Sequence, residues 1–123
     1  MAFTMDDSRP IFVQIAENIE DDIIEGRLPE ESQVPSTTQF ASFFQINPAT
    51  AAKGVNLLVD ENILYKKRGI GMFVSIGARA KLMEKRKEQF FEQYVVVMMR
   101  EAEKLGISAD QLTEMIRRGE KGQ

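Results

Sequence analysis

Three short stretches of the chain combine hydroxyl, amide and basic side chains at spacings that suit the binding of anions. They are Ser36-Thr37-Thr38, then Asn47-Pro48-Ala49-Thr50 with Lys53 one helical turn later, and the basic run Lys66-Lys67-Arg68 before Gly69 and Gly71. Hydroxyl and amide oxygens at a helix start cap its free N–H groups, and such N–H groups together with a nearby cation bind phosphate. The fold has to place these three stretches on its surface if they are to act in this way.

The residue types on which most enzymes rely are missing. The chain has no cysteine and no histidine, so disulfides, thiolate and imidazole nucleophiles and the usual zinc sites are excluded. Carboxylates are plentiful, but none lies in a segment that resembles a cleft with a nucleophile or a metal partner. We therefore expect a protein that is not an enzyme and needs no cofactor and no metal ion.

The net charge of −3 is distributed unevenly along the chain. Residues 1–31 hold nine acidic and two basic residues, a net charge of −7, whereas residues 32–78 hold four basic and two acidic residues, a net charge of +2. The middle of the chain is therefore locally positive, and the whole-chain charge does not exclude a nucleic-acid partner.

The length of 123 residues, of which 43% are hydrophobic, is enough for one compact domain and an appendage. The sequence has no run of eighteen apolar residues, and its first ten residues lack the features of a secretion signal. We expect a single core and a cytoplasmic protein.

A first amphipathic helix is predicted from Pro10 to Glu25, because apolar residues recur there at helical spacing and Gly26 follows directly. The next segment, residues 28–35, contains two prolines and is predicted to be a connecting loop. The helix face opposite the apolar stripe is acidic, and to this solvated face we assign Glu17, Glu20, Asp21 and Glu25.

Two short helices joined by a tight turn are predicted next. Ser36-Thr-Thr-Gln39 matches a capping box that opens the first, and Asn47-Pro48 supplies an N-cap and a first position for the second, about residues 48–61. The face of this second helix opposite its apolar residues carries Ala49, Lys53, Asn56 and Asp60. Small, basic and amide-bearing residues near its N-terminus predict a helix-turn-helix whose second helix enters the major groove of DNA.

A β-hairpin is predicted after Asn62, because runs of strand-forming residues, 63–67 and 72–76, flank a turn with two glycines. Gly69 and Gly71 supply the positive φ that such a turn needs. Successive strand residues alternate faces, so at most one of Lys66 and Lys67 can point at DNA. The hairpin therefore predicts a wing that grips the DNA backbone.

The C-terminal part of the chain is predicted to be helical, with an apolar face that its own residues cannot fully bury. A long helix from Ala78 to Leu105 has an apolar arc of about 160°, and Ser108 opens a short final helix that can hide only part of it. Three interpretations remain open for its aromatic cluster: a homodimer interface, which we favour, an internal core, or a small-molecule pocket. The cluster consists of Phe90, Phe91, Tyr94 and Met98.

The order of these elements over about residues 9–76 resembles the DNA-binding domain of the GntR family. The resemblance is carried by four segments, namely Arg9-Pro-Ile-Phe with Gln14-Ile15, Val34-Pro-Ser36, Ile46-Asn-Pro-Ala-Thr50 with Lys53, and Arg68-Gly-Ile-Gly-Met-Phe-Val74. The third segment and the short two-helix tail resemble the YtrA subfamily, whose members resemble minimal repressors. The chain departs from the family pattern at Thr38, where arginine is usual, at Ile70, where a polar or basic residue is usual, and at Met72, where threonine is frequent.

Together these observations predict a mostly α fold with a small β-hairpin. A winged helix-turn-helix domain, residues 1–77, would be followed by a two-helix C-terminal dimerisation segment, residues 78–123. The resemblance implies a homodimeric repressor that binds a two-fold symmetric operator through a recognition helix, about 48–61, and a wing, about 66–73. The predicted DNA contacts are Ser36, Thr37, Thr38, Asn47, Pro48, Ala49, Thr50, Lys53, Lys66, Arg68, Gly69 and Gly71.

Two further questions stay open from the sequence. A small-molecule effector is compatible with it, but no residues identify one. The alternative is a winged-helix protein-interaction module with weak or lost affinity for DNA. It is motivated by the acidic first helix and by Thr38 and Ile70.

Overall fold

The structure, a computed structural model, describes residues 6–122 and confirms a mostly helical fold with one two-stranded antiparallel hairpin. The elements in chain order are α1 (Ile11–Ile24), α2 (Thr37–Phe44), α3 (Pro48–Asp60), β1 (Leu64–Lys67), β2 (Gly71–Val74), α4 (Ala78–Phe90), a π-helical turn (Phe91–Val95), α5 (Val96–Lys104) and α6 (Ala109–Glu120). The chain forms two compact units, of which the first ends at Glu84 and the second begins at Lys85.

The first helix, α1, lies at the centre of the first unit's core. Its apolar residues Ile15, Ile19 and Ile23 are fully buried, and Gly26, with a φ of 86°, lies just beyond its C-terminus. Glu20 corrects the sequence prediction, because it is buried rather than solvated. The reason is that Ala16, one turn earlier, is buried too, so the packed face of α1 is wider than its apolar stripe.

The helix α3 packs on both α1 and α2, as the helix-turn-helix pattern predicts. Gln45 ends α2 in a left-handed conformation, with a φ of 57°, and thereby turns the chain toward α3. At Gly54 the backbones of α1 and α3 approach closely, since a Cβ atom there would lie only 2.7 Å from the carbonyl oxygen of Phe12. Glycine is thus required at this position for the two helices to pack as they do.

The hairpin pairs Leu64 with Val74 and Lys67 with Gly71, in antiparallel register. The segment that the sequence assigned to a loop adds to this sheet, because the backbone of residues 31–34 pairs with β2. The N–H groups of Glu31 and Val34 donate to the carbonyl groups of Val74 and Met72, at 2.7 and 2.9 Å. The free edge of β2 is therefore covered, and the hairpin is joined to the residues that precede α2.

The second unit has helices but almost no interior. Among residues 85–122 only Ala102 is buried, although the Ser108 capping box that opens α6 is formed. The predicted long helix is present, but it is interrupted by the π-helical turn, in which the N–H of Val96 donates to the carbonyl of Phe91. No helix in the described part of the chain has the length and hydropathy that crossing a membrane requires.

Candidate nucleic-acid interface

The N-terminus of α2 is exposed and capped. The Ser36 hydroxyl accepts a hydrogen bond from the N–H of Gln39 at 3.1 Å, and the Gln39 side chain accepts one from the N–H of Ser36 at 2.7 Å. Thr37 and Thr38 occupy the first two helical positions, whose N–H groups have no acceptor within a helix. This end of α2 therefore presents N–H groups and hydroxyls together with the positive end of the helix dipole, a combination that suits a phosphate.

The N-terminus of α3 is capped by Asn47, as the sequence predicts. The Asn47 Oδ1 atom accepts a hydrogen bond from the N–H of Ala49 at 2.7 Å, and Pro48 occupies the first helical position. The cap uses the oxygen of the Asn47 amide and leaves its two N–H donors for another partner. Asn47, Pro48 and Ala49 are exposed and Thr50 is half-buried, so this helix end is open to a ligand.

The outer face of α3 is exposed along its length. Ala49, Lys53, Asn56 and Asp60 are all exposed, whereas Ala51, Val55 and Leu58 are buried against the core. The Lys53 ammonium lies 4.2 Å from the centroid of the Phe12 ring. This cation–π contact places the charge beside the first turn of α1, and no local sequence pattern predicts it, because Phe12 and Lys53 lie far apart in the chain.

The wing separates its two lysines, as strand alternation predicts. Lys67 lies on the aromatic side of the sheet, with its ammonium 4.5 Å from the centroid of the Phe73 ring. Lys66 pairs with Met72 on the other side and is exposed. Arg68 and Ile70 at the tip are exposed as well, so the tip presents one free-standing guanidinium and one apolar side chain to solvent.

Two residues before α2, Glu31 and Gln33, support the wing, and neither is among the residues predicted from the sequence. The Gln33 Nε2 atom donates to the carbonyl of Ile70 at 3.1 Å, and the Tyr65 hydroxyl donates to Glu31 Oε1 at 3.0 Å. Partial burial raises the pKa of the Tyr65 hydroxyl above its usual value, and its hydrogen bond to Glu31 adds to this rise. Because these partners lie 34 and 37 residues apart, no local pattern could have identified them.

The predicted dimerisation residues lie in the second unit and form an exposed aromatic and methionine surface. Tyr94 and Phe90 are 62% and 57% exposed, and their ring centroids are 5.4 Å apart. The other exposed apolar residues of this unit are Phe91, Val97, Met98, Met99, Leu105, Met115 and Ile116. No set of three or more acidic residues arranged to hold a metal ion occurs between residues 6 and 122.

The first unit contains a winged helix-turn-helix domain. It has three helices that include a helix-turn-helix, and a hairpin follows whose edge is covered by the segment before α2. Residues 12–74, which are 63 of the 123 residues, match the family described as bacterial regulatory proteins, gntR family. The chain belongs to the GntR family of bacterial regulatory proteins. This family is one of regulators rather than enzymes, in agreement with the sequence prediction.

Three comparisons show how far the similarity extends. The chain is 36% identical to the transcriptional repressor NagR of Bacillus subtilis over 66 residues, which are 54% of this chain but 27% of NagR. It is 27% identical to the repressor YtrA of Bacillus subtilis over 110 residues, which cover 89% of this chain and 84% of YtrA. A solved structure of a GntR-family regulator from Bacteroides thetaiotaomicron is 35% identical, with a TM-score of 0.77, and the match covers 90% of this chain and 96% of that one. The resemblance to YtrA-like regulators is thus confirmed over most of the chain.

Proposed function

We propose that this regulator is a homodimeric transcriptional repressor that binds a two-fold symmetric operator. The observation that carries the proposal is the exposed N-terminal half of α3, where Asn47, Ala49 and Lys53 are open to solvent at the end of a helix held by its neighbours. Curated relatives that are named repressors, NagR and YtrA, support the sign of regulation. A chromosomal operator would place its action in the cytoplasm.

The first half of α3 is the proposed reading element. In a helix-turn-helix, side chains at the start of the second helix meet base edges in the major groove. Asn47 has two free amide donors, Thr50 has a hydroxyl and a methyl group, and Lys53 carries a charge at the exposed surface. Pro48 and Ala49 are small enough to let the helix end approach the bases.

The N-terminus of α2 and the wing are the proposed backbone contacts. Ser36, Thr37 and Thr38 would bind a phosphate through hydroxyls and helix N–H groups. On the wing, Lys66 and Arg68 supply the charge, because Lys67 lies on the opposite face of β1 from Lys66 and strand alternation allows only one of the two faces to meet the DNA. Gly69 and Gly71 have positive φ values of 77° and 146°, and they allow the tip to turn closely enough to reach the duplex.

The second unit is the proposed dimerisation segment, within residues 78–123. Its last helix, α6, is opened by the Ser108 capping box, yet the large apolar side chains of the unit's helices are exposed. A surface of this kind marks an interaction site, and a second copy of the chain offers the same surface around Phe90, Phe91, Tyr94 and Met98. Dimerisation about a two-fold axis would also match the symmetry of an operator.

Replacing Lys53 with alanine should weaken operator binding by about tenfold while leaving the fold intact. A lost contact with a base or phosphate costs about 1–3 kcal/mol, whereas the exposed cation–π contact with Phe12 is worth only about 0.5–1 kcal/mol. The measurement is a fluorescence-anisotropy titration of a labelled duplex, selected by the wild-type chain from random sequence, together with thermal unfolding.

The matched control is Lys104→Ala, which removes another exposed helical lysine, from the second unit. Equal affinities of the two variants would contradict the assignment of α3 as the reading element. The same titration at several salt concentrations addresses the protein-interaction alternative. For a regulator, the logarithm of the binding constant should fall linearly with the logarithm of the salt concentration, with a slope that corresponds to several released counterions. Binding that is absent or insensitive to salt would favour the interaction module.

A further inference from the structure

The side chain of Gln33, which lies outside the hairpin, forms a hydrogen bond to the wing tip. The backbone of Gln33 forms a bridge with Phe73, in the middle of the segment that covers the edge of β2. From there its side chain extends along the sheet, and the Nε2 atom donates to the carbonyl of Ile70 at 3.1 Å. The hydrogen bond therefore connects the segment before α2 to the turn of the hairpin.

The same amide packs directly against the backbone of Gly71. A Cβ atom built at Gly71 would lie 2.5 Å from Gln33 Nε2, and the φ of Gly71 is 146°. The backbone conformation is what requires glycine here, because other residues rarely adopt it, and the absence of a side chain at residue 71 leaves the space that the Gln33 amide occupies. A side chain at residue 71 would displace Gln33 from the tip.

The tip has little else to fix its conformation. Arg68, Gly69 and Ile70 are exposed, and Ile70 places its apolar side chain in solvent rather than in the core. Within the hairpin, the N–H of Ile70 donates to the carbonyl of Lys67 at 2.9 Å, which closes the turn but does not orient it relative to α2 and α3. The backbone pairing of residues 31–34 with β2 reaches as far as Met72, and the Gln33 hydrogen bond extends this connection to the turn itself.

We propose that Gln33 is a positioning residue for the wing, which holds the tip where Arg68 contacts the DNA backbone. The inference rests on the proposed function, because it needs the wing to contact DNA. Gln33 itself need not touch the nucleic acid. Its effect on binding is carried by the tip, so the contributions of Gln33 and Arg68 should be coupled.

A double-mutant cycle tests this coupling. Gln33→Ala should weaken binding to the selected duplex by about three- to tenfold, the range expected when one hydrogen bond is lost. Arg68→Ala should weaken it at least as much and lower the log-log salt slope by about one. Because Arg68 depends on the tip that Gln33 holds, Gln33→Ala should lower the slope too, and the double variant should bind about as well as Arg68→Ala alone.

The matched control is Ser32→Ala, which removes a side-chain hydrogen bond to the carbonyl of Pro29 in the same segment and should leave affinity unchanged. Amide hydrogen exchange of the DNA-free protein separately tests the Gln33 clamp, by which we mean the hydrogen bond from the Gln33 side chain to the carbonyl of Ile70. Gln33→Ala should speed exchange at residues 69–72 and should lower the melting temperature by no more than about 3 °C. Additive losses in the cycle, or unchanged exchange at the tip, would overturn the proposal. Failure of the wild-type chain to bind any duplex would overturn the proposed function and the role of the tip on DNA, whereas the exchange measurement would still decide whether Gln33 fixes the tip.

Discussion

A Tyr94→Glu variant should be monomeric at concentrations at which the wild-type protein is a dimer. Tyr94 is 62% exposed and lies against Phe90 in the aromatic surface of the second unit. At a two-fold interface each substitution occurs twice, and a carboxylate buried without a partner costs about 3–5 kcal/mol. The dissociation constant of the dimer should therefore rise by about 100-fold or more, as measured by sedimentation equilibrium.

The same variant separates dimerisation from DNA reading. Loss of the dimer removes the high effective concentration of the second DNA-binding unit, so affinity for a full operator should fall by about 100-fold. Affinity for an isolated half-site should stay unchanged, because the first unit is not altered. Ile76→Glu is the matched control, since Ile76 is 78% exposed but lies in the first unit. A Tyr94→Glu protein that remains dimeric would refute the proposed interface.

Gly54→Ala should lower the melting temperature by about 5–20 °C. In an ordinary helix this change is stabilising by about 0.5–1 kcal/mol, but here the added Cβ would lie 2.7 Å from the Phe12 carbonyl oxygen and 3.1 Å from the Ile15 Cβ. The obstacle is backbone, so α1 and α3 must move apart, at a cost of about 1–3 kcal/mol. For a domain of this size each kcal/mol corresponds to about 4–8 °C.

Gly119→Ala in α6 is the matched control for Gly54→Ala. A Cβ atom at Gly119 meets no atom within 4 Å, so the usual helix preference for alanine applies and the variant should be slightly more stable than the wild type. Differential scanning calorimetry of both variants measures the two shifts. A Gly54→Ala protein that melts at or above the wild-type temperature would show that α1 and α3 do not pack through this glycine.

The parts of the fold that depend on local pattern could be predicted from the sequence. The Ser36 and Asn47 caps, the exposed Lys53 on α3 and the hairpin turn at Gly69 and Gly71 follow from short-range chemistry, and the structure confirms each of them. In each of these cases the residues that determine the feature lie within a few positions of one another. Sequence patterns of this length predict the local backbone conformation without knowledge of the tertiary contacts.

The features that sequence reasoning missed depend on contacts between distant residues or on packing. Residues 31–34 lie next to prolines, which favour a loop, and only their pairing with β2 makes them part of the sheet. The Gln33 clamp on Ile70 has the same long-range origin. The polar type of Glu20 predicts a solvated side chain, whereas its burial is decided by how closely the rest of the core packs on α1.

The most direct test of the account is selection of duplexes from random DNA by the wild-type chain, followed by sequencing of the bound fraction. A homodimer that reads DNA through α3 and the wing should enrich an inverted repeat whose half-sites are centred about one helical turn, roughly 10 base pairs, apart. Enrichment of no sequence, or of a single half-site without a symmetric partner, would contradict the proposed dimeric operator binding.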